Sequence, residues 1–148
     1  MKKESVKSIL LPLILIPAGG ILVLILCYLL YYGFVLSMET FIFTGDPQRV
    51  PVGNLRVIFT AILLATGVLA LCTKWPDLLK VILLTGPVGT LLITVFLTFY
   101  RQLPTAYVII AVILAIFLFL IYRFKKSWLY TYALLIAAVA AVLYGYPR

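Results

Sequence analysis

Four residues spaced by four, Gly86, Thr90, Thr94 and Thr98, stand inside the oily stretch "LLTGPVGTLLITVFLTFYRQ", with Pro87 among them. Hydroxyls at that spacing fall along one side of a helix, and two kinds of chemistry are open to them. They can line a polar path, exchanging hydrogen bonds with water or a solute. Alternatively, each can return its proton to the carbonyl four residues back, leaving a shallow ridge on which a second helix lies close. Pro87 adds a further element: it has no N–H, so the Leu83 carbonyl loses its helical donor and the ring bends the helix. In hydrocarbon that carbonyl needs a hydroxyl, a water or a neighbour.

Ala133, Ala137 and Ala141 repeat the same spacing near the C-terminus with no polarity at all, and Ala61 and Ala65 hint at a third such seam. Seams of small residues are a common way for helices to associate in lipid, where no hydrophobic drive brings them together. The packing reading of the threonine ridge is therefore preferred to the polar path.

The other chemistry-bearing set lies in and around the polar stretch 37–55: Glu39, Asp46, Arg49 and Arg56, with Arg101 on the same face. In an enzyme, Glu39 or Asp46 would serve as general base while the arginines held a phosphate or carboxylate. The spacing matches no acid–base arrangement, and a loop between spans is polar in any case. An arginine cluster holding lipid headgroups or a partner's acidic loop is the better fit. "GDPQR" reads as a turn with Asp46 as cap and Pro47 opening a short helical turn, and Asn54 as cap of the span that follows.

Histidine is absent, which removes imidazole catalysis and the commonest metal ligand. Cys27 and Cys72 fall toward opposite ends of different spans, too far apart for a disulfide, so two free thiols and no metal site are expected. No cofactor is implied. No ionisable residue lies in the interior of any apolar span, which argues against a proton relay or a coupled ion path within one chain.

The elements that must position these residues follow from composition. The chain has 148 residues, 66% of them hydrophobic and 11% charged, with a mean hydropathy of +1.24. Soluble domains run at roughly half apolar and a quarter charged, so the excess must face lipid. One helical crossing takes about 20 apolar residues, and five stretches qualify: approximately 9–36, 56–73, 78–99, 104–122 and 128–145. The predicted fold is an all-α integral membrane protein, a single domain over 1–148. It is a bundle of five transmembrane helices with an outer loop at 37–55 and the third helix kinked at Pro87. The breaks "TKWPDLLK", "YRQLP" and "YRFKKSW" are short enough to make sequential helices antiparallel neighbours.

Orientation follows from basic residues. Lys2, Lys3, Lys7, Lys74, Lys80, Arg123, Lys125 and Lys126 share one side, and Arg49, Arg56, Arg101 and Arg148 the other. The positive-inside rule then predicts N-in and C-out. Trp75 and Trp128 sit at the inner headgroup level, with Tyr31, Tyr32, Tyr100 and Tyr144 in the outer belt. The net charge of +8 is spread along the flanks of spans, so it speaks for anionic headgroups on the inner face and not for nucleic acid. The apolar run after "MKKESVK" is far longer than a signal-peptide core and is read as a retained first span. "PAGGIL" at Pro17 echoes "PVGTLL" at Pro87, a weak sign of a duplicated hairpin.

Three functions are expected in order. The first is a non-enzymatic subunit of a membrane complex, pairing through its seams with copies of itself or a larger partner. The second is a small transporter or channel for a neutral or lipid-like substrate, using the Pro87 kink and the Thr90, Thr94 and Thr98 face. The third is an outer-face enzyme acting on lipid-linked substrates. The expected setting is a bacterial or archaeal cytoplasmic membrane, with the N-terminus cytoplasmic.

Overall fold

A bilayer offers no drive to bury apolar side chains, so the helix that carries the small residues becomes the hub. The structure is a computed structural model that describes residues 3–42 and 51–145, with side chains described over 10–42 and 51–144. It contains five α-helices and, among the described residues, no strands: α1 (Lys3–Phe41), α2 (Val52–Cys72), α3 (Asp77–Thr98), α4 (Leu103–Arg123) and α5 (Trp128–Gly145). In α3, 56% of the apolar window is buried, against 11–22% for α1, α2 and α4. It touches all four other helices.

Four helices, α1 to α4, are long and apolar enough to cross a membrane, while α5 is shorter. The protein is thus a membrane-embedded helical bundle. At about 1.5 Å per residue, the 39 residues of α1 reach about 58 Å, well past a hydrocarbon core of about 30 Å. Its ends therefore project beyond the apolar span of 9–36, because helix formation does not stop where hydrophobicity does.

Glycines set the α1–α3 crossing. A Cβ on Gly20 would come 3.0 Å from Thr85 Cγ2, one on Gly86 would come 2.6 Å from Val23 Cγ1, and one on Gly89 would come 2.6 Å from Leu24 Cδ2. Residue numbers rise together across the contact, so α1 and α3 run parallel. The echoing stretches do not face each other: Gly19 and Gly20 of "PAGGIL" meet Ile82 and Thr85, while Gly89 of "PVGTLL" meets Leu24. On the other flank Gly67 of α2 lies against the Pro87 ring, where a Cβ would be 3.1 Å from Cγ.

Two apolar clusters complete the core. Val88, Leu92 and Phe96 of α3 pack with Ala106 and Ile110 of α4 and with Leu134, Ala137 and Ala141 of α5. Toward the Lys-rich end, Ile16, Val81, Tyr130 and Ala133 form the second. Ala133, Ala137 and Ala141 are each at most 2% exposed, so this seam is filled within the chain itself.

Helix ends carry the remaining local detail. Pro51 precedes the first residue of α2 and its carbonyl accepts from the Leu55 N–H at 3.1 Å. Asn54 therefore lies inside the first turn and does not cap it, a correction to the expected start at 56. The Asp46 cap lies outside the described residues. Asp77 occupies the first turn of α3, where a carboxylate suits the helix dipole. At the end of α4 the Lys126 N–H donates to the Ile121 carbonyl (3.0 Å) and the Lys125 N–H to that of Tyr122 (3.1 Å). This is a Schellman motif, with Lys125 at φ 48° in the left-handed position where glycine is usual.

Candidate functional site

The four-residue ridge on α3 does not meet one neighbour. With about 3.6 residues per turn, each four-residue step rotates by roughly 40°, and three steps carry Thr98 well round from Gly86. Gly86 is buried against Val23 and Cys27 of α1, and Pro87 against Gly67 of α2. Thr90 is half-buried, Thr94 is buried and Thr98 is exposed. The hydroxyls return to the helix: Thr85 donates to the Val81 carbonyl (3.0 Å), Thr90 to Gly86 (2.8 Å) and Thr98 to Thr94 (2.7 Å). None of these bonds goes to the Leu83 carbonyl.

Thr94 is different, because it reaches another helix. Thr60 of α2 donates to the Arg56 carbonyl at 2.8 Å. Its single proton is thereby committed, so Thr94 Oγ1 donates to Thr60 Oγ1 at 2.9 Å. A Thr60→Val and Thr94→Val double-mutant cycle in mixed micelles is expected to give a coupling of about 0.6 kcal/mol, the usual scale for such bonds in membranes. Strictly additive losses would show that the hydroxyls touch without holding α2 to α3.

Beyond the glycine crossing, a cavity of ≈ 500 Å³ opens between α1 and α3, flanked by α2 and α5. Ligand sites run about 300–1,000 Å³, so it is large enough for a small molecule or part of a lipid. Leu24, Ile93 and Phe59 line it with apolar surface, and Cys27, Thr90 and Thr94 bring sulfur and hydroxyls. Tyr31, Arg56 and Tyr144 also belong to its wall, toward the helix ends. Arg56 lies one turn beyond Thr60, so the distance from Thr90 to the cationic end is about two turns, or about 10 Å. Tyr31 and Phe34 pack on Phe59 with centroids 5.5 and 5.7 Å away, which stiffens the wall formed by α1 and α2.

Of the described members of the expected outer-loop set, Arg56 alone lines this cavity. Glu39 is half-buried near the end of α1 and outside the lining, Arg101 is exposed in the α3–α4 turn, and Asp46 and Arg49 lie outside the described residues. Among the described residues, no carboxylate lines the cavity. Ala61 and Ala65 are both exposed on α2, so the chain does not use that third seam. Cys27 and Cys72 are free, as their placement predicts. Among the described residues no three His, Cys, Asp or Glu side chains come together as a metal site requires.

Sequence reasoning missed Cys27, Tyr31 and Tyr144 as cavity residues, having read them as an isolated thiol and belt tyrosines. A usable signal was Arg56 and Thr60, polar residues one turn apart on a span that is otherwise mostly apolar. Fold and site together define a multi-pass helical membrane protein with an amphipathic cavity. Compared with known protein families, curated proteins and solved structures, the chain matches none.

Proposed function

We propose that this protein is a five-span membrane protein, N-in and C-out, that takes a lipid-like substrate into the cavity between α1 and α3 and passes it across or along the outer leaflet. The observation that carries this reading is the cavity itself, with largely apolar walls, Thr90 and Thr94 within and Arg56 toward its end. Apolar walls favour a chain, and the hydroxyls and guanidinium would orient a polar head. The seam residues Ala133, Ala137 and Ala141 are consumed inside the bundle, so they support folding before partnership. Pro87 would kink α3, and the Leu83 carbonyl, lacking a helical donor, would give the outer half of α3 freedom to admit the substrate.

The test uses the full chain in nanodiscs, titrated with a long-chain alkyl probe carrying a fluorescent head. Saturable binding is expected, weakened severalfold by Thr90→Val together with Thr94→Val, which keep the shape and remove the hydroxyls. Unsaturable partitioning, equal to that of empty nanodiscs, would sink the reading.

A second reading, a subunit that pairs with another helix or with its own copy, is favoured by the exposed Ala61 and Ala65 on α2. Its mass in nanodiscs decides it: a strict monomer with nothing bound counts against it.

A further inference from the structure

The ring of helices around α3 is not closed. α1 packs on α2 and on α5, and α5 packs on α4, but α2 and α4 at most touch. Between them lies a slot of ≈ 210 Å³ on the Lys-rich half of the bundle. Leu64 and Val68 of α2 face Phe117 and Leu120 of α4 across it, and Pro87 and Val88 of α3 form its floor. Val68 and Leu120 are exposed side chains, so the slot opens where lipid would lie.

Among the described residues, its one charged lining residue is Lys126. The Schellman turn folds the backbone of Lys126 back onto the end of α4, and its Nζ stands 5.7 Å from the centre of the Tyr130 ring. The Tyr130 hydroxyl in turn donates to Asp77 Oδ1 at 3.4 Å. Among the described side chains, Lys74, Lys80, Arg123, Lys125 and Lys126 share this end with one carboxylate, Asp77.

We infer that the slot is a binding site for an anionic glycerophospholipid, distinct from the larger cavity. One acyl chain lies between α2 and α4 over Pro87, and the phosphate meets the Lys126 ammonium at the membrane surface. Size and polarity select this occupant. A helix with side chains is about 10 Å across, too thick for so small a slot. A polar solute finds little to bind on the slot's apolar walls, where the hydroxyls of Thr85 and Tyr130 already donate to Val81 and Asp77. An acyl chain fits those walls, and the excess of cations at the rim favours a net negative headgroup over a zwitterionic one.

Trp75 and Trp128, the only tryptophans in the chain, both lie at this end and report on it. The full chain is reconstituted in phosphatidylcholine nanodiscs doped with phosphatidylglycerol or phosphatidylcholine brominated on the chains. Brominated phosphatidylglycerol is expected to quench severalfold more per mole. Lys126→Gln is expected to abolish the difference, and Lys126→Arg to keep it, provided helical circular dichroism shows both variants folded. Lys74→Gln removes the same charge from the same end outside the slot and is expected to keep the preference. Val68→Phe fills the slot and is expected to reduce quenching by both lipids to the level of bulk lipid. Equal quenching of the parent chain by both lipids overturns the inference. So does an equal loss in Lys74→Gln and Lys126→Gln, which marks diffuse surface charge, or an unaltered response in Val68→Phe.

Discussion

Gly86→Ala is expected to destabilise the bundle by about 1–3 kcal/mol, the usual cost of forcing an extra carbon into a packed core. The added Cβ would lie 2.6 Å from Val23 Cγ1 and 2.9 Å from Cys27 Sγ. Val23 is β-branched and stiff at χ1, so it yields only if α1 backs away from α3. Alanine gains up to about 1 kcal/mol in helix propensity over glycine, which offsets part of the clash. Gly33→Ala isolates that gain, since nothing lies within 4 Å of a Cβ there. Reversible unfolding in mixed micelles should therefore show Gly33→Ala neutral or stabilising and Gly86→Ala clearly weaker. Two variants of equal stability would mean that α1 and α3 do not approach as closely as the glycines allow. Since Cys27 also lines the large cavity, Gly86→Ala should disturb probe binding as well.

The second large effect is functional. Ala140 of α5 lines the cavity between α1 and α3 and is half-buried. Ala140→Phe places an aromatic ring in free space of ≈ 500 Å³, where it displaces ligand without overpacking the core. Binding of the alkyl probe is expected to fall at least tenfold, while thermal stability in detergent is unchanged or raised, as filling apolar voids commonly does. Two readouts separate the causes. Lost binding with a lowered melting point would indicate a damaged bundle, and undiminished binding with a stable bundle would place the ligand elsewhere.

How far these sites can be read from residues alone differs by level. The apolar spans are visible because lipid demands long uninterrupted hydrophobic stretches, and the helices overlap every predicted segment. The largest displacement is at α1, which runs from Lys3 to Phe41 and not from 9 to 36; α2 begins at Val52 and not at 56. Arg56 looks like the charged margin of a span, yet it sits a turn inside the helix and on the cavity wall. Which face meets which neighbour is far less visible. In water, burial stripes the sequence; in lipid, Leu22 and Val108 stay exposed in the chain and look no different from buried Leu92. Small residues are the remaining signal, and it is ambiguous about partners. The same four-residue spacing is buried in the bundle at Ala137 and left outside at Ala61 and Ala65. The threonine ridge was legible as a set of hydroxyls, but its rotation around α3 separates Gly86 at a helix crossing from Thr94 in a cavity wall.

The hub position of α3 also has a consequence in time. During synthesis α1 and α2 enter the bilayer first, with their glycine notches at Gly20 and Gly67 and only a small surface shared between them. Each notch is shaped for side chains of α3, Thr85 for the first and Pro87 for the second. Until the third helix arrives, lipid must occupy both, and the two early helices have little reason to stay together. Assembly of this bundle therefore waits on its middle: beyond the aromatic contact of α1 with α2, neither core cluster can form before α3 arrives.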